Sequence, residues 1–213
     1  MDWTRAVDGY CERLGPAYWA EPLNAVTNLA FLAAALLMWH RCAGLVSGRV
    51  LAAILFAIGI GSWLFHTHAQ PWAGVADVAP IGIFIIAYIF VVNRDFLRLP
   101  GWQAGLGTVF SATLIPLLAY QFGKYELTAA SAGYVPVPIL LFGYGWALRQ
   151  RLPVVARGLW IGAGLLVVSI TLRSLDQPLC GVWPLGTHFL WHLLNAALLG
   201  WLIEVWRRHA VAA

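Results

Sequence analysis

Charged residues are scarce in this chain of 213 residues, which is 10% charged and 61% hydrophobic. A soluble domain has roughly 25% charged and 45–50% apolar residues, and a disordered chain is less apolar still. The mean hydropathy of +0.76 therefore excludes both classes. Because a membrane-spanning helix needs about 20 residues, the length allows seven spans at most. We expect one integral membrane domain over residues 1–213.

Basic runs are missing as well, although the net charge is +4. The cations are scattered at predicted helix ends, which is typical of topology determinants and not of a nucleic-acid interface. The single lysine, Lys124, lies in a predicted loop, which excludes a retinal Schiff base inside a span.

Residues 1–21 lack the apolar stretch of a signal peptide, so we expect a retained polar N-terminal segment. No protein partner is predicted.

Seven apolar stretches predict an all-α bundle of seven transmembrane helices. They cover residues 22–40, 50–68, 74–93, 102–120, 132–148, 157–173 and 186–206. With the N-terminus outside, the inner segments hold nine Arg and the outer segments hold four Lys or Arg. The positive-inside rule therefore predicts an outer N-terminus and a cytoplasmic C-terminus. In a bacterium the protein would lie in the inner membrane.

Three cysteines are present, and two of them fall on the predicted outer side. Cys11 lies in the N-terminal segment and Cys180 in the loop before the last span, where oxidation is possible. These two could form a disulfide bond, whereas Cys42 is expected to be a free thiol on the inner side.

Three histidines fall at the outer ends of predicted spans. His188 and His192 are four residues apart, so both project from one helix face. Such a pair is either two ligands of a zinc site or a polar helix end at the interface. His66 lies near the outer end of the second span, at a similar depth. Because three histidines and an open position form a catalytic zinc site, we predict one here. His68 points off roughly the opposite face and is interpreted as a loop residue, with a substitute ligand as the alternative.

Two further polar residues are predicted to lie beside these histidines. Ser62 precedes His66 by four residues and shares its helical face. Asp77 opens the third span and is the only acidic residue within the second or third span. Such a carboxylate can orient a ligand or handle protons, or it can simply be a charge favoured at a helix N-terminus.

Asp8, Glu12 and Glu21 form a second outer cluster. Carboxylates suit calcium, but spacing alone favours an acidic segment that caps the first helix. Asn24 and Asn28, four residues apart in the first span, are interpreted as structural hydrogen-bonding residues that tie this span to the acidic segment.

The sequence resembles the alkaline ceramidase family, which is related to the adiponectin receptors. Three blocks carry the resemblance: residues 10–28, with YCE and WAEPLNAVTN; residues 59–66, GIGSWLFH, followed by Asp77; and residues 188–192, HFLWH. They extend from the N-terminus to the last span. The Gly-Ser-Trp-x-Phe-His block with its spaced Asp is the most specific.

The resemblance implies roles for individual residues. It implies zinc ligation by His66, His188 and His192, catalysis by Ser62 and Asp77, calcium ligation by Glu12 and Glu21, and a disulfide from Cys11, for which Cys180 is the available partner. The calcium segment matches least. The family commonly reads Asp-Trp-Cys-Glu-x-Asn there, whereas Asp8 is one residue further from the Cys and Leu14 replaces the Asn.

The implied activity is zinc-dependent hydrolysis of the amide bond of a membrane lipid such as ceramide, giving a fatty acid and an amine. Asp77 would take the proton of a zinc-activated water, and Ser62 would donate a hydrogen bond to the oxyanion or orient His66. The alternative is a seven-span receptor or sensor with a structural zinc site. Such a site would not need the pair Ser62 and Asp77.

Overall fold

The computed structural model of the protein describes residues 2–212, apart from the side chain of Leu127. Within these residues the regular elements are helical and no strand occurs, so the all-α prediction is confirmed. In chain order the helices are α1 (Pro22–Thr27), α2 (Leu29–Arg41), α3 (Val46–His68), α4 (Pro71–Val91) with a π-helical turn at Val92–Phe96, α5 (Gly101–Phe122), α6 (Glu126–Ala129), α7 (Pro136–Leu148), α8 (Pro153–Leu179) and α9 (His188–Ala212).

Six of the predicted spans are long and apolar enough to cross a membrane. They are α1 with α2, α3, α4 with its π-helical turn, α5, α8 and α9. The predicted fifth span corresponds to α7, which has only 13 residues. It begins at Pro136 and not at residue 132, because proline favours the first helical position, where no backbone N–H is needed.

Close helix packing brings the elements of the site together. α3 packs against α4 so tightly that a Cβ on Gly61 would lie 2.0 Å from the carbonyl oxygen of Ala76. α8 approaches α9 in the same way, since a Cβ on Gly158 would lie 2.6 Å from a methyl group of Val205. Small residues at such crossings let helix backbones approach, which is how membrane helices associate in the absence of a hydrophobic driving force.

The two ends of the bundle carry different polar groups. At one end Glu204 of α9 accepts hydrogen bonds from Arg41, Arg207 and Arg208. At the other end the C-terminus of α3 and the N-terminus of α9 meet under the N-terminal segment. The arginine-rich end is the one that the sequence predicts to be cytoplasmic, and the candidate site lies at the opposite end.

Candidate metal and catalytic site

Three buried imidazoles meet where α3 ends and α9 begins. One ligand nitrogen from each of His66, His188 and His192 lies within 4.8 Å of the others. The ring centroids are 4.6–5.1 Å apart. His68, whose alternative interpretation was a substitute ligand, lies outside this cluster and packs against Tyr18 and Trp72.

Hydrogen bonds set the orientation of two of the rings. The Nδ1 of His66 lies 2.6 Å from Oε2 of Glu21, and because an ionised carboxylate only accepts, we assign the ring proton to Nδ1. The Nδ1 of His192 lies 2.9 Å from the hydroxyl of Thr27. That hydroxyl donates to the carbonyl of Leu23 at 2.8 Å, so it accepts from His192.

The donor set fits a zinc ion. Among the described residues, buried ring nitrogens without a hydrogen-bond partner include Nε2 of His66, Nε2 of His192 and Nδ1 of His188. A buried polar atom without a partner is costly, and a metal ion would relieve that cost. Metal-binding histidines also typically give their other ring nitrogen to a carboxylate or another acceptor, as His66 and His192 do.

The predicted catalytic pair lies beside the histidines. Gly61 of α3 lies against Asp77 in the second turn of α4, since a Cβ on Gly61 would lie 3.2 Å from the Cα of Asp77, and the residue after Gly61 is the buried Ser62. The carboxylate of Asp77 is close enough to His66, Ser62 and Arg173 for their charges and dipoles to act on it. A hydroxyl, a carboxylate and a three-histidine cluster are thus gathered in one place.

The N-terminal segment is bonded to the start of α9. Cys11 and Cys180 form a disulfide with a Cα–Cα distance of 5.3 Å, and Cys42 is a buried free thiol. Asp176 accepts hydrogen bonds from the backbone N–H groups of Cys11 at 3.1 Å and of His188 at 2.9 Å. This carboxylate therefore connects the disulfide to the first turn of the helix that carries two of the three histidines.

Tyr10 covers the cluster from the same segment. Its ring stacks on His188 with a centroid distance of 3.7 Å and a tilt of 18°. Burial raises the pKa of the Tyr10 phenol, so the ring stays neutral at physiological pH. Nη2 of Arg173 donates to its hydroxyl at 3.4 Å.

An apolar cavity inside the bundle comes close to the histidine cluster at one end, although no histidine lines it. Phe31, whose ring lies 6.2 Å from that of His192, and Trp191 line it near the cluster. Deeper in the bundle its walls are Ile58, Phe84 and Leu198. This lining suits a hydrocarbon chain.

A family model described as Ceramidase matches residues 9–206. The chain belongs to the ceramidase family. No significant match to an individual curated protein is found. Membership supports a membrane enzyme of the ceramide-hydrolysing class, which acts on carbon–nitrogen amide bonds. The resemblance predicted from the sequence is therefore confirmed.

The structure does not support the calcium site that the resemblance to the ceramidase family implied. Asp8 is exposed, and within residues 2–212 the only group of three or more His, Cys, Asp or Glu side chains close enough to share an ion is the histidine cluster. Both carboxylate oxygens of Glu12 accept backbone N–H groups, from Leu23 at 2.6 Å and from Asn24 at 2.8 Å. Glu12 thus caps α1, which is the alternative that the spacing favoured.

Glu21 also has a different role from the one implied. It is buried and bonds to the ring of His66, to Nδ2 of Asn24 at 3.2 Å and to the guanidinium of Arg13. Burial alone would raise the pKa of its carboxyl, but His66 and Arg13 keep that pKa below its usual range. Asn24 thus contacts the acidic residue that precedes the first span, while Asn28 bonds back to the carbonyl of Asn24 at 2.8 Å.

Sequence reasoning missed several residues of this ceramidase-family site. Arg13, Thr27, Arg173 and Asp176 were not predicted to contribute. One signal was available for Asp176, because it is an acidic residue that precedes His188, the first histidine of the pair, by 12 residues. No spacing rule identifies the other three.

Proposed function

We propose that this member of the ceramidase family is a zinc-dependent intramembrane amidase that releases a fatty acid from a ceramide-type lipid. The observation that carries the proposal is the cluster of three buried imidazoles with unpartnered ring nitrogens beside a serine and an aspartate. A structural zinc site would need the imidazoles but neither Ser62 nor Asp77.

His66, His188 and His192 would hold the ion. When bound, zinc polarises a carbonyl oxygen and lowers the pKa of its water toward about 7. The chain contributes orientation, because Glu21 and Thr27 fix the rings of His66 and His192 with the metal-facing nitrogens deprotonated.

Asp77 and Ser62 would handle the proton and the developing charge. Asp77 would hold the proton that leaves the attacking water and pass it to the leaving amine, as a general base and then a general acid. The Ser62 hydroxyl would donate a hydrogen bond to the carbonyl oxygen as it becomes an oxyanion. Losing one such donor typically costs about 2.7–4 kcal/mol of transition-state stabilisation.

The substrate would reach the site from the membrane. The apolar cavity between Phe31 and Leu198 would hold the acyl chain, with the amide bond at the histidines. The arginines around Glu204 support an orientation with that end in the cytoplasm and the site toward the outer, or periplasmic, face. We propose that the whole chain works as this one membrane domain.

The test is release of fatty acid from a fluorescent ceramide by purified protein in detergent, with zinc content measured in parallel. We expect a zinc chelator to abolish release and added zinc to restore it. His188→Ala should lose zinc and activity, whereas Asp77→Asn should keep zinc and lose activity. His40→Ala is the matched control, because His40 is exposed at the far end of α2.

Two outcomes would contradict the proposal. Zinc-loaded wild-type protein that releases no acid from any lipid amide would favour the receptor or sensor alternative. An Asp77→Asn variant with full turnover would remove the proton-handling role.

A further inference from the structure

The guanidinium of Arg13 is buried among oxygen atoms from three segments of the chain. Its side chain is only 3% exposed. Its Nε donates to Oε1 of Glu21, its Nη1 to the carbonyl of Gly15 at 3.0 Å and its Nη2 to the carbonyl of His66 at 3.1 Å. Arg13 thus joins the N-terminal segment to the start of α1 and the end of α3.

These acceptors are the kind that would otherwise surround a metal cation. Carboxylate and backbone carbonyl oxygens are the ligands of calcium, and here a guanidinium fills the space between them. The other acidic residues offer no substitute set, because Glu12 uses both oxygens on backbone N–H groups and Asp8 is exposed. The residues therefore do not fit a calcium ion in this segment.

Arg13 reaches the histidine cluster by two routes. Through Glu21 it fixes the carboxylate whose other oxygen lies 2.6 Å from Nδ1 of His66. Directly, it bonds the backbone carbonyl of His66, one of the last carbonyls of α3, which lack partners within the helix. A buried carboxylate without a cationic partner is strongly destabilised, and the buried guanidinium of Arg13 is that partner for Glu21.

We propose that Arg13 is the built-in cation of this site. Its guanidinium takes the position of a calcium ion and holds Glu21 against His66, so that zinc binding by this chain needs no calcium. Arg13 is a positioning residue and touches neither substrate nor metal. The effect of Arg13 on hydrolysis rests on the function proposed above, whereas its effect on zinc binding can be tested without any assumption about hydrolysis.

The first experiment measures the need for calcium. Zinc affinity and fatty-acid release of the wild-type protein are measured in calcium-free buffer and then with calcium raised to the millimolar range of weak extracellular sites. Terbium, whose luminescence is sensitised by nearby tryptophan, serves as the calcium probe. We expect no calcium effect and no terbium signal that calcium displaces. The proposal would be overturned by zinc binding that depends on calcium, or by saturable terbium binding that calcium displaces.

The second experiment separates the charge of Arg13 from its bulk. Arg13→Lys and Arg13→Met have side chains of similar length and differ in charge. Loss of an outer hydrogen-bonding partner typically lowers metal affinity about 10–100-fold, and we expect Arg13→Met to fall in this range and Arg13→Lys to lie between it and the wild type. Equal zinc affinities for the two variants, at matched thermal stability, would refute a cationic role. Arg5→Ala, an exposed change in the same segment, is the control.

Chemical rescue tests the charge of Arg13 directly, because zinc affinity would not respond to an added cation if the role of Arg13 were purely structural. Arg13→Ala vacates a space bounded by the carboxylate of Glu21 and two carbonyl oxygens. Low concentrations of guanidinium should restore its zinc affinity, whereas urea, a neutral molecule of the same shape, should not. Equal effects of the two solutes would count against the proposal. Wild-type protein that binds zinc but cleaves no lipid would refute the proposed hydrolase and leave these tests of Arg13 intact.

Discussion

Replacing Gly61 by alanine should separate catalysis from metal binding. The added Cβ would lie 2.0 Å from the carbonyl oxygen of Ala76, so this oxygen must retreat by about 1.4 Å to reach an ordinary contact of 3.4 Å. The obstacle is backbone and not a flexible side chain. We expect α4 to move and α3 to stay, because α4 is less buried in the protein. Only 28% of its most apolar stretch is buried, compared with 50% for α3.

The retreat of α4 would carry Asp77 away from the histidines. A misplacement of about 1 Å in a catalytic group can cost about 10²-fold in rate, so we expect a loss of this order in kcat for Gly61→Ala. Overpacking should also lower the free energy of unfolding by about 1–3 kcal/mol. Zinc affinity should be unchanged, because the three ligands lie on α3 and α9.

The assay compares kcat, zinc content and thermal unfolding for Gly61→Ala and Gly82→Ala. Gly82 lies on the same helix α4, but a Cβ there meets nothing within 4 Å, so this variant should behave as the wild type. Full turnover by Gly61→Ala would refute the dependence of catalysis on the α3–α4 contact. Parallel loss of zinc and activity would show that α3 moves and not α4.

Three more predictions concern other parts of the site. Thr27→Val removes the hydroxyl that fixes Nδ1 of His192 and should weaken zinc binding about 10–100-fold, as measured by competition with a chromogenic chelator; unchanged affinity would exclude this orienting role. Cys11→Ser should lower the free energy of unfolding by about 2–5 kcal/mol, as seen in thermal melts of the detergent-solubilised protein, because it opens the disulfide to Cys180; a wild-type melting temperature would contradict this. Leu198→Phe narrows the apolar cavity and should slow the cleavage of long-chain ceramides more than that of short-chain ones, so an equal effect across a chain-length series would place the acyl chain elsewhere.

Helical spacing and topology were enough to predict the histidine cluster. The separation of four residues puts His188 and His192 on one face, and a seven-span topology brings the end of α3 to the same side as the start of α9. The same reasoning put Ser62 on the face of His66 and Asp77 close by. These predictions needed only the helical period and the order of the spans. Both are easy to recognise in a sequence with long apolar stretches.

The partners of the acidic residues could not be predicted in this way. Glu12 and Glu21 are equally acidic in the sequence, yet one bonds backbone N–H groups and the other bonds an imidazole and a guanidinium. Spacing fixes which residues are near and not which atom a carboxylate faces. Arg13 was counted only as a topology determinant, and Asp176 fell beyond the predicted end of its span at residue 173, whereas α8 continues to residue 179.

The geometry of the histidine cluster depends on the N-terminal segment as much as on the spans. His66 lies in the last turn of α3 and His188 is the first residue of α9, so neither is held by helix hydrogen bonds on both sides. The segment supplies the missing restraints: Arg13 on the carbonyl of His66, Glu21 on its ring and Tyr10 stacked on His188. The helices bring the three histidines to one end of the bundle, and the short polar segment before the first span fixes the backbone and the rings that the proposed zinc site would depend on.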